Sequence, residues 1–273
     1  NYTVIKQLAK GGQGCTFLAS RNADQHRLVV KQVKCPFKHI NEALKEVKAL
    51  LPLNHPGVVK YDDFFLDEDK GSDESEQIYI VCIAMEYCEG GDLAMHLSNL
   101  RSQKTYMEFK TVVSWLLEIA QALEYLHKLS ILHRDLKPLN IFITSSGRVK
   151  VGDFGLAKKT GFQRQSRVGT PCYVAPEVLN EEAYGAAADV WGLGCIGLEM
   201  MSLNFLWEVK GLLAVRVFTQ PVTMADMSDR YPGHARTFVA GMLARDASMR
   251  PKIRQVIEAL QDAAARVAGG SGA

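Results

Sequence analysis

The chain has 273 residues, 47% of them apolar and 23% charged, with 32 Lys and Arg against 30 Asp and Glu. That length buries a core without disulfide or metal staples and allows one large domain or two small ones. The composition excludes disorder, collagen and coiled coil as the main organisation, and a net charge of +2 gives no field that points to nucleic acid or an anionic membrane.

The first third reads as strands. Tyr2-Thr3-Val4-Ile5-Lys6-Gln7-Leu8 is extended in character, a glycine-rich turn follows at Gly11-Gly12-Gln13-Gly14, and Thr16-Phe17-Leu18-Ala19 continues it. Leu28-Val29-Val30-Lys31-Gln32-Val33 is a third β-rich run, so short turns predict an antiparallel meander. Asn41 to Leu51 carries Leu44, Val47 and Leu51 at helical spacing, and Pro52 and Pro56 end it. Val58-Val59 with Phe64-Phe65 predicts a fourth strand, and Ile78 to Met85 a fifth. The acidic stretch between them, Asp67 to Glu76, reads as a solvated loop.

The remainder is mainly helical. Phe109, Val112, Val113, Leu116, Leu117, Ala120, Leu123 and Leu126 make one long amphipathic stripe. Ile253, Val256, Ile257, Leu260 and Val267 make another near the end, ahead of a flexible tail at 268–273. A small β-rich lobe followed by a larger α-rich one predicts a crevice between lobes as the ligand site. Six cysteines, Cys15, Cys35, Cys82, Cys88, Cys172 and Cys195, show neither C-x-x-C pairing nor zinc-finger spacing and read as reduced thiols. The longest apolar run, Ile78 to Met85, is too short to span a bilayer.

The glycine turn can cradle phosphates on its backbone amides. It is not a dinucleotide fingerprint, because a strand follows it rather than a helix, and it lacks the Gly-Lys-Ser/Thr of a P-loop. The decisive stretch is His133-Arg134-Asp135-Leu136-Lys137-Pro138-Leu139-Asn140, followed by Asp153-Phe154-Gly155 and Ala175-Pro176-Glu177. With the glycine turn ahead of them, in this order, these motifs resemble a protein kinase along the whole chain. Leu136-Lys137-Pro138 and Gly169-Thr170-Pro171 are similar to serine/threonine kinases. The run Met85-Glu86-Tyr87-Cys88-Glu89-Gly90-Gly91-Asp92-Leu93 resembles the NIMA-related kinases, of which this would be a divergent member.

The resemblance implies an α+β bilobal fold over 1–267, with an N-lobe over 1–85, a hinge at 86–88 and a helical C-lobe. It implies phosphoryl transfer from ATP, with Mg2+ or Mn2+, to Ser/Thr sites of protein substrates. Lys31 would hold the α- and β-phosphates, paired with Glu46, for which Glu42 is the rival one turn away. Asp135 would orient the substrate hydroxyl, Lys137 would neutralise the transferring group, and Asn140 and Asp153 would bind the metal as hard oxygen donors. Leu8, Ala9, Gly11, Gly14, Thr16, Val29, Met85, Glu86, Cys88 and Phe142 would line the ATP site. His133 would be structural rather than a base, Asp189 an anchor of the catalytic loop, and Glu177 and Arg250 a structural ion pair. Leu50, Tyr61, His133 and Phe154 would stack into a column linking the lobes.

Ser166 is the expected activating phosphosite, with Thr170 and Thr160 as further candidates, modified by an upstream kinase or by autophosphorylation. The resemblance also implies a cytoplasmic protein associated with the cytoskeleton, centrosome or cilium, and the charge balance and short apolar runs predict no nucleic acid and no membrane insertion. Three departures surround the nucleotide: Ala9 where a glycine is usual, Thr16 in place of a valine, and Val29 in place of an alanine. They keep open a different class of reading, a pseudokinase or nucleotide-binding scaffold that signals by shape.

Overall fold

A computed structural model describes residues 1–11, 14–68, 78–154, 173–180, 185–202 and 222–269. By their contacts these residues fall into two compact units, one formed by Asn1–Glu89 and the other by the described residues from Gly90 onward.

The first unit is an antiparallel sheet with one α-helix. Its strands are β1 (Tyr2–Gly11), β2 (Gly14–Arg21), β3 (Arg27–Pro36), β4 (Tyr61–Glu68) and β5 (Ile78–Glu86). The order is β1-β2-β3-β5-β4, so the meander of the first three strands is present and β5 inserts between β3 and β4. Strand alternation separates two faces. Ala19, Leu28, Val30, Cys82 and Ala84 bury a small core on one face. On the other, register aligns Leu18, Val29 and Met85 in one row, and Thr16, Lys31 and Ile83 in the next. Edge strand β1 is blunted against further pairing by two register shifts and by Lys6 and Lys10.

Gly14 is required by close approach rather than by the turn alone. A Cβ there would lie 1.8 Å from the carbonyl oxygen of Gln32 on β3. Helix α1 (Ile40–Leu50) buries Ile40, Ala43, Val47 and Leu50. The sequence pattern had placed Leu44 on this face, but Leu44 is only half-buried, because Ala43 one position earlier takes the inward direction. Val58-Val59 does not belong to β4, which begins at Tyr61; both valines are buried in the preceding loop.

The second unit carries α2 (Leu93–Ser102), α3 (Phe109–Lys128), the hairpin β6 (Ile141–Ile143) and β7 (Val149–Val151), α4 (Pro176–Leu179), α5 (Ala186–Ser202), α6 (Gly233–Met242) and α7 (Ile253–Gly269). Asp92 caps α2 by accepting the Met95 N–H at 2.8 Å. The α3 stripe predicted from the sequence is buried, at Val112, Val113, Leu116, Ala120, Leu123 and Leu126 among others. Helix α5 is buried from Ala188 to Ser202, Asp189 and Glu199 included, so it forms the centre of this unit, with α3, α6 and α7 packed against it. Helix α7 continues to Gly269, past the 267 limit expected for the domain.

Candidate active site

The stretch from His133 to Asn140 is held from below by Asp189, the fourth residue of α5. Asp189 is fully buried, and its carboxylate accepts the His133 N–H at 3.0 Å and the Arg134 N–H at 3.1 Å. His127 of α3 brings Nε2 to 2.8 Å from the same carboxylate. These bonds satisfy a charge that burial would otherwise penalise heavily. Gly192, one turn further along α5, lets the loop sit on the helix, since a Cβ there would meet Leu136 Cβ at 2.9 Å.

His133 is also buried, and both ring nitrogens are committed. Nδ1 accepts the Asp135 N–H at 3.2 Å, so the proton resides on Nε2, which donates to the Gly152 carbonyl at 3.0 Å. Burial holds the imidazole below its usual range, against the pull of Asp189, the Gly152 bond, Asp135 and Asp153. A neutral ring with both nitrogens occupied does not act as a base. It ties the Asp135 backbone to the segment carrying Asp153, and its ring lies 5.1 Å from that of Phe154.

Around Asp135 the side chains converge. Lys137 donates from Nζ to Asp135 Oδ2 at 2.7 Å. Asn140 donates from its amide nitrogen to the Asp135 carbonyl at 2.7 Å and to Oδ2 at 3.1 Å. Both Asn140 bonds use nitrogen, so the amide oxygen turns the other way. Asn140 and Asp153 stand at the two ends of the β6–β7 hairpin, where the Gly152 N–H donates to the Asn140 carbonyl at 3.0 Å. Arg134 and Asp153 adopt φ of 67° and 61°, a region non-glycine residues enter at a cost of about 1–3 kcal/mol.

The donor chemistry fits a hard divalent cation. The amide oxygen of Asn140 and the carboxylate of Asp153 would supply two hard oxygen donors to such an ion. Among the described residues, no group of three or more His, Cys, Asp or Glu could hold a metal by itself.

The other sequence-predicted residues lie as follows. Lys31 on β3 shares a face with Thr16 and Val29, and Val29 lies directly between Leu18 and Met85. Glu46 on α1 is half-buried, whereas its rival Glu42 is exposed and lies 3.9 Å from His39. Leu8, Ala9 and Gly11 end β1, and Gly14 opens β2. Met85 and Glu86 close β5, with the buried Cys88 following. Phe142 is half-buried on β6 and bridges to Asp92. Leu50 and Tyr61 are buried in the first unit, His133 and Phe154 in the second. Ser166, Thr160 and Thr170 lie outside the described residues. Glu177 meets Arg250 through two bonds of 2.7 Å.

Residues 2–260 match the family described as Protein kinase domain. The chain belongs to the protein kinase domain family. Members of this family use ATP and a divalent metal. This kinase domain is 30% identical over 262 residues to the Serine/threonine-protein kinase Nek3 of Oryza sativa subsp. japonica. It is 32% identical over 262 residues to the Serine/threonine-protein kinase Nek8 of Danio rerio, and 30% over 263 residues to the Serine/threonine-protein kinase Nek1 of Mus musculus. Each match covers 94% of this chain but only 43%, 36% and 21% of those three relatives, in that order.

Sequence reasoning passed over His127, Trp115 and Glu118 of the kinase domain, all on α3. Glu118 left a readable trace. It stands three residues after Trp115 and four before Ala122, so an acid occupies a buried helical stripe. Tyr173 is a second omission; its buried hydroxyl donates to Glu199 on α5 at 2.6 Å. No helix among the described residues is long and apolar enough to cross a membrane. The five cysteines described are free thiols, and burial pushes the Cys82 thiol up to about 11.

Proposed function

We propose that this domain transfers the γ-phosphoryl group of ATP to serine or threonine hydroxyls of protein substrates. The observation that carries the reading is the convergence of Lys137 and Asn140 on the Asp135 carboxylate. Phosphoryl transfer asks the protein for alignment and for charge, not for a covalent intermediate. Asp135 accepts the hydrogen of the substrate hydroxyl and turns its lone pair toward the phosphorus. Lys137, already 2.7 Å from that carboxylate, supplies positive charge where the transferring group passes. Lys31 takes the α- and β-phosphates with Glu46 steadying it, and Leu8, Ala9, Thr16, Val29, Met85, Glu86, Cys88 and Phe142 receive the adenosine. Asn140 and Asp153 would hold Mg2+, which would supply positive charge against the charge that develops on the transferring phosphoryl group. The relatives' printed names, each a serine/threonine-protein kinase, support the choice of acceptor.

The test is Mg2+-dependent transfer from ATP to a serine and threonine peptide library, with Asp135→Asn as control. Transfer should fall by about 10²–10⁴-fold in that variant while nucleotide binding persists. Nucleotide binding without transfer above the control would leave the scaffold reading instead.

A further inference from the structure

The hairpin that separates Asn140 from Asp153 is gripped at its far end by α3. Glu118 lies in the middle of that helix with only 7% of its surface exposed. Its Oε2 accepts the Val149 N–H, the first of β7, at 2.8 Å. Its Oε1 pairs with Arg148 Nε at 2.7 Å and accepts the Ser114 hydroxyl at 3.3 Å. One helical turn earlier, the buried Trp115 donates from Nε1 to the Gly147 carbonyl at 2.9 Å. Both grips act on consecutive residues of one turn, Gly147 to Val149.

That turn is internally stiff. The Thr144 N–H donates to the Arg148 carbonyl at 2.8 Å, the Arg148 N–H to Thr144 Oγ1 at 3.1 Å, and the Gly147 N–H to the Thr144 carbonyl at 3.0 Å. The strands below it are three residues each, about 10 Å at roughly 3.3 Å per residue. A rigid short hairpin transmits a displacement at its turn to its base. At that base stand Asn140, one residue before β6, and Asp153, two after β7. A second grip on β6, where Ile143 exchanges bonds of 2.9 and 2.8 Å with Gly90 and Gly91, supplies the fulcrum.

We propose that Glu118 and Trp115 are positioning residues that set the geometry of Asn140 and Asp153 for the metal through the β6–β7 hairpin. The proposal rests on reading Asn140 and Asp153 as the metal pair. A purely apolar residue at position 118 would pack against α3's neighbours equally well, but it would leave the Val149 N–H buried without an acceptor and the turn unguided. Ligand-supporting contacts of this kind tune metal affinity even when they never touch the ion.

The experiment measures Mn2+ binding by electron paramagnetic resonance in the presence of ADP, beside thermal melts and the Mg2+ dependence of phosphoryl transfer. Glu118→Ala and the milder Trp115→Phe should each weaken Mn2+ binding by about three- to tenfold, the lower end of what losing an outer partner costs. Glu118→Gln keeps an acceptor for Val149 and should restore binding to within about twofold of wild type. If Glu118→Ala does not fold, Trp115→Phe decides alone. Lowered melting temperatures with Mn2+ binding equal to wild type would overturn the proposal. A wild-type protein that transfers no phosphate yet loses Mn2+ affinity in these variants would sink the kinase reading and leave the positioning role standing.

Discussion

The Asp189 carboxylate accepts the backbone N–H of His133 at 3.0 Å, so the loop that presents Asp135 hangs from the central helix of its unit. The same carboxylate serves Arg134 and His127. Asp189→Ala removes every one of these acceptors in a fully buried setting. It should destabilise the domain by about 2–4 kcal/mol, the sum of charge-assisted bonds lost and donors stranded. Urea denaturation monitored by tryptophan fluorescence reads the loss.

Acid should weaken the fold through its histidines first. Burial depresses the titration of His133, His55 and His96. Below the ordinary value of about 6.5, the unfolded chain takes up protons that these folded rings refuse, so stability falls as pH falls through that point. Substituting His133→Phe keeps a ring against Phe154 and removes one of these sites. The slope of unfolding free energy against pH between about 6.5 and 5 should then shrink by up to about 1.4 kcal/mol per pH unit. Equal slopes in wild type and variant would refute this account of His133.

Arg250 uses all five of its donors, two on Glu177 and one each on the carbonyls of Ala187, Ala244 and Arg245. Breaking the pair from either side, by Glu177→Gln or Arg250→Met, should cost about 3–5 kcal/mol, and the double variant should cost less than the sum. Burial pushes the Glu177 carboxyl up, but the Arg250 bond and charge, with a backbone N–H, hold it below its ordinary 4.5. Its contribution is therefore complete above about pH 4.5 and lost on further acidification. A chemical-denaturation double-mutant cycle at pH 7 and pH 4 checks both statements.

Val29 stands in register with Met85 and Leu18, and on the same face as Lys31. Val29→Ala removes two methyl groups from the row on which the adenine is proposed to rest. Relief of such crowding is worth about 1–3 kcal/mol. The KM for ATP should fall by about threefold or more, with kcat nearly constant, in steady-state kinetics. An unchanged KM would place the crowding elsewhere.

Helices α1, α3 and α7 could be read from the chain because their burial is periodic, and the sheet strands because β-branched and aromatic runs lie between turn signals; both are local properties. The Val58-Val59 strand failed for the complementary reason. Two β-branched residues satisfy strand propensity, yet their burial comes from a loop folding inward. Helix α5 escaped the pattern altogether, since a helix buried on all sides has no polar face to alternate with. The motif residues Asp135, Lys137, Asn140 and Asp153 were visible as a spacing. The bonds that Glu118, Trp115 and His127 make were not, because their partners lie in segments distant along the chain.

By itself, the sequence determined the chemistry on offer: lysines able to meet phosphate, carboxylates and an amide able to meet a hard cation, and the order and spacing of the motifs that carry them. Tertiary structure alone decided which of those groups are held and by what. It made His133 a neutral strut rather than a base, by occupying both of its ring nitrogens. It made Glu118 a clamp rather than a surface charge, by burying it against the Val149 N–H. The reason is physical. A residue's identity sets which bonds it is able to form, but its protonation and its orientation depend on burial and on partners that only the folded chain brings together.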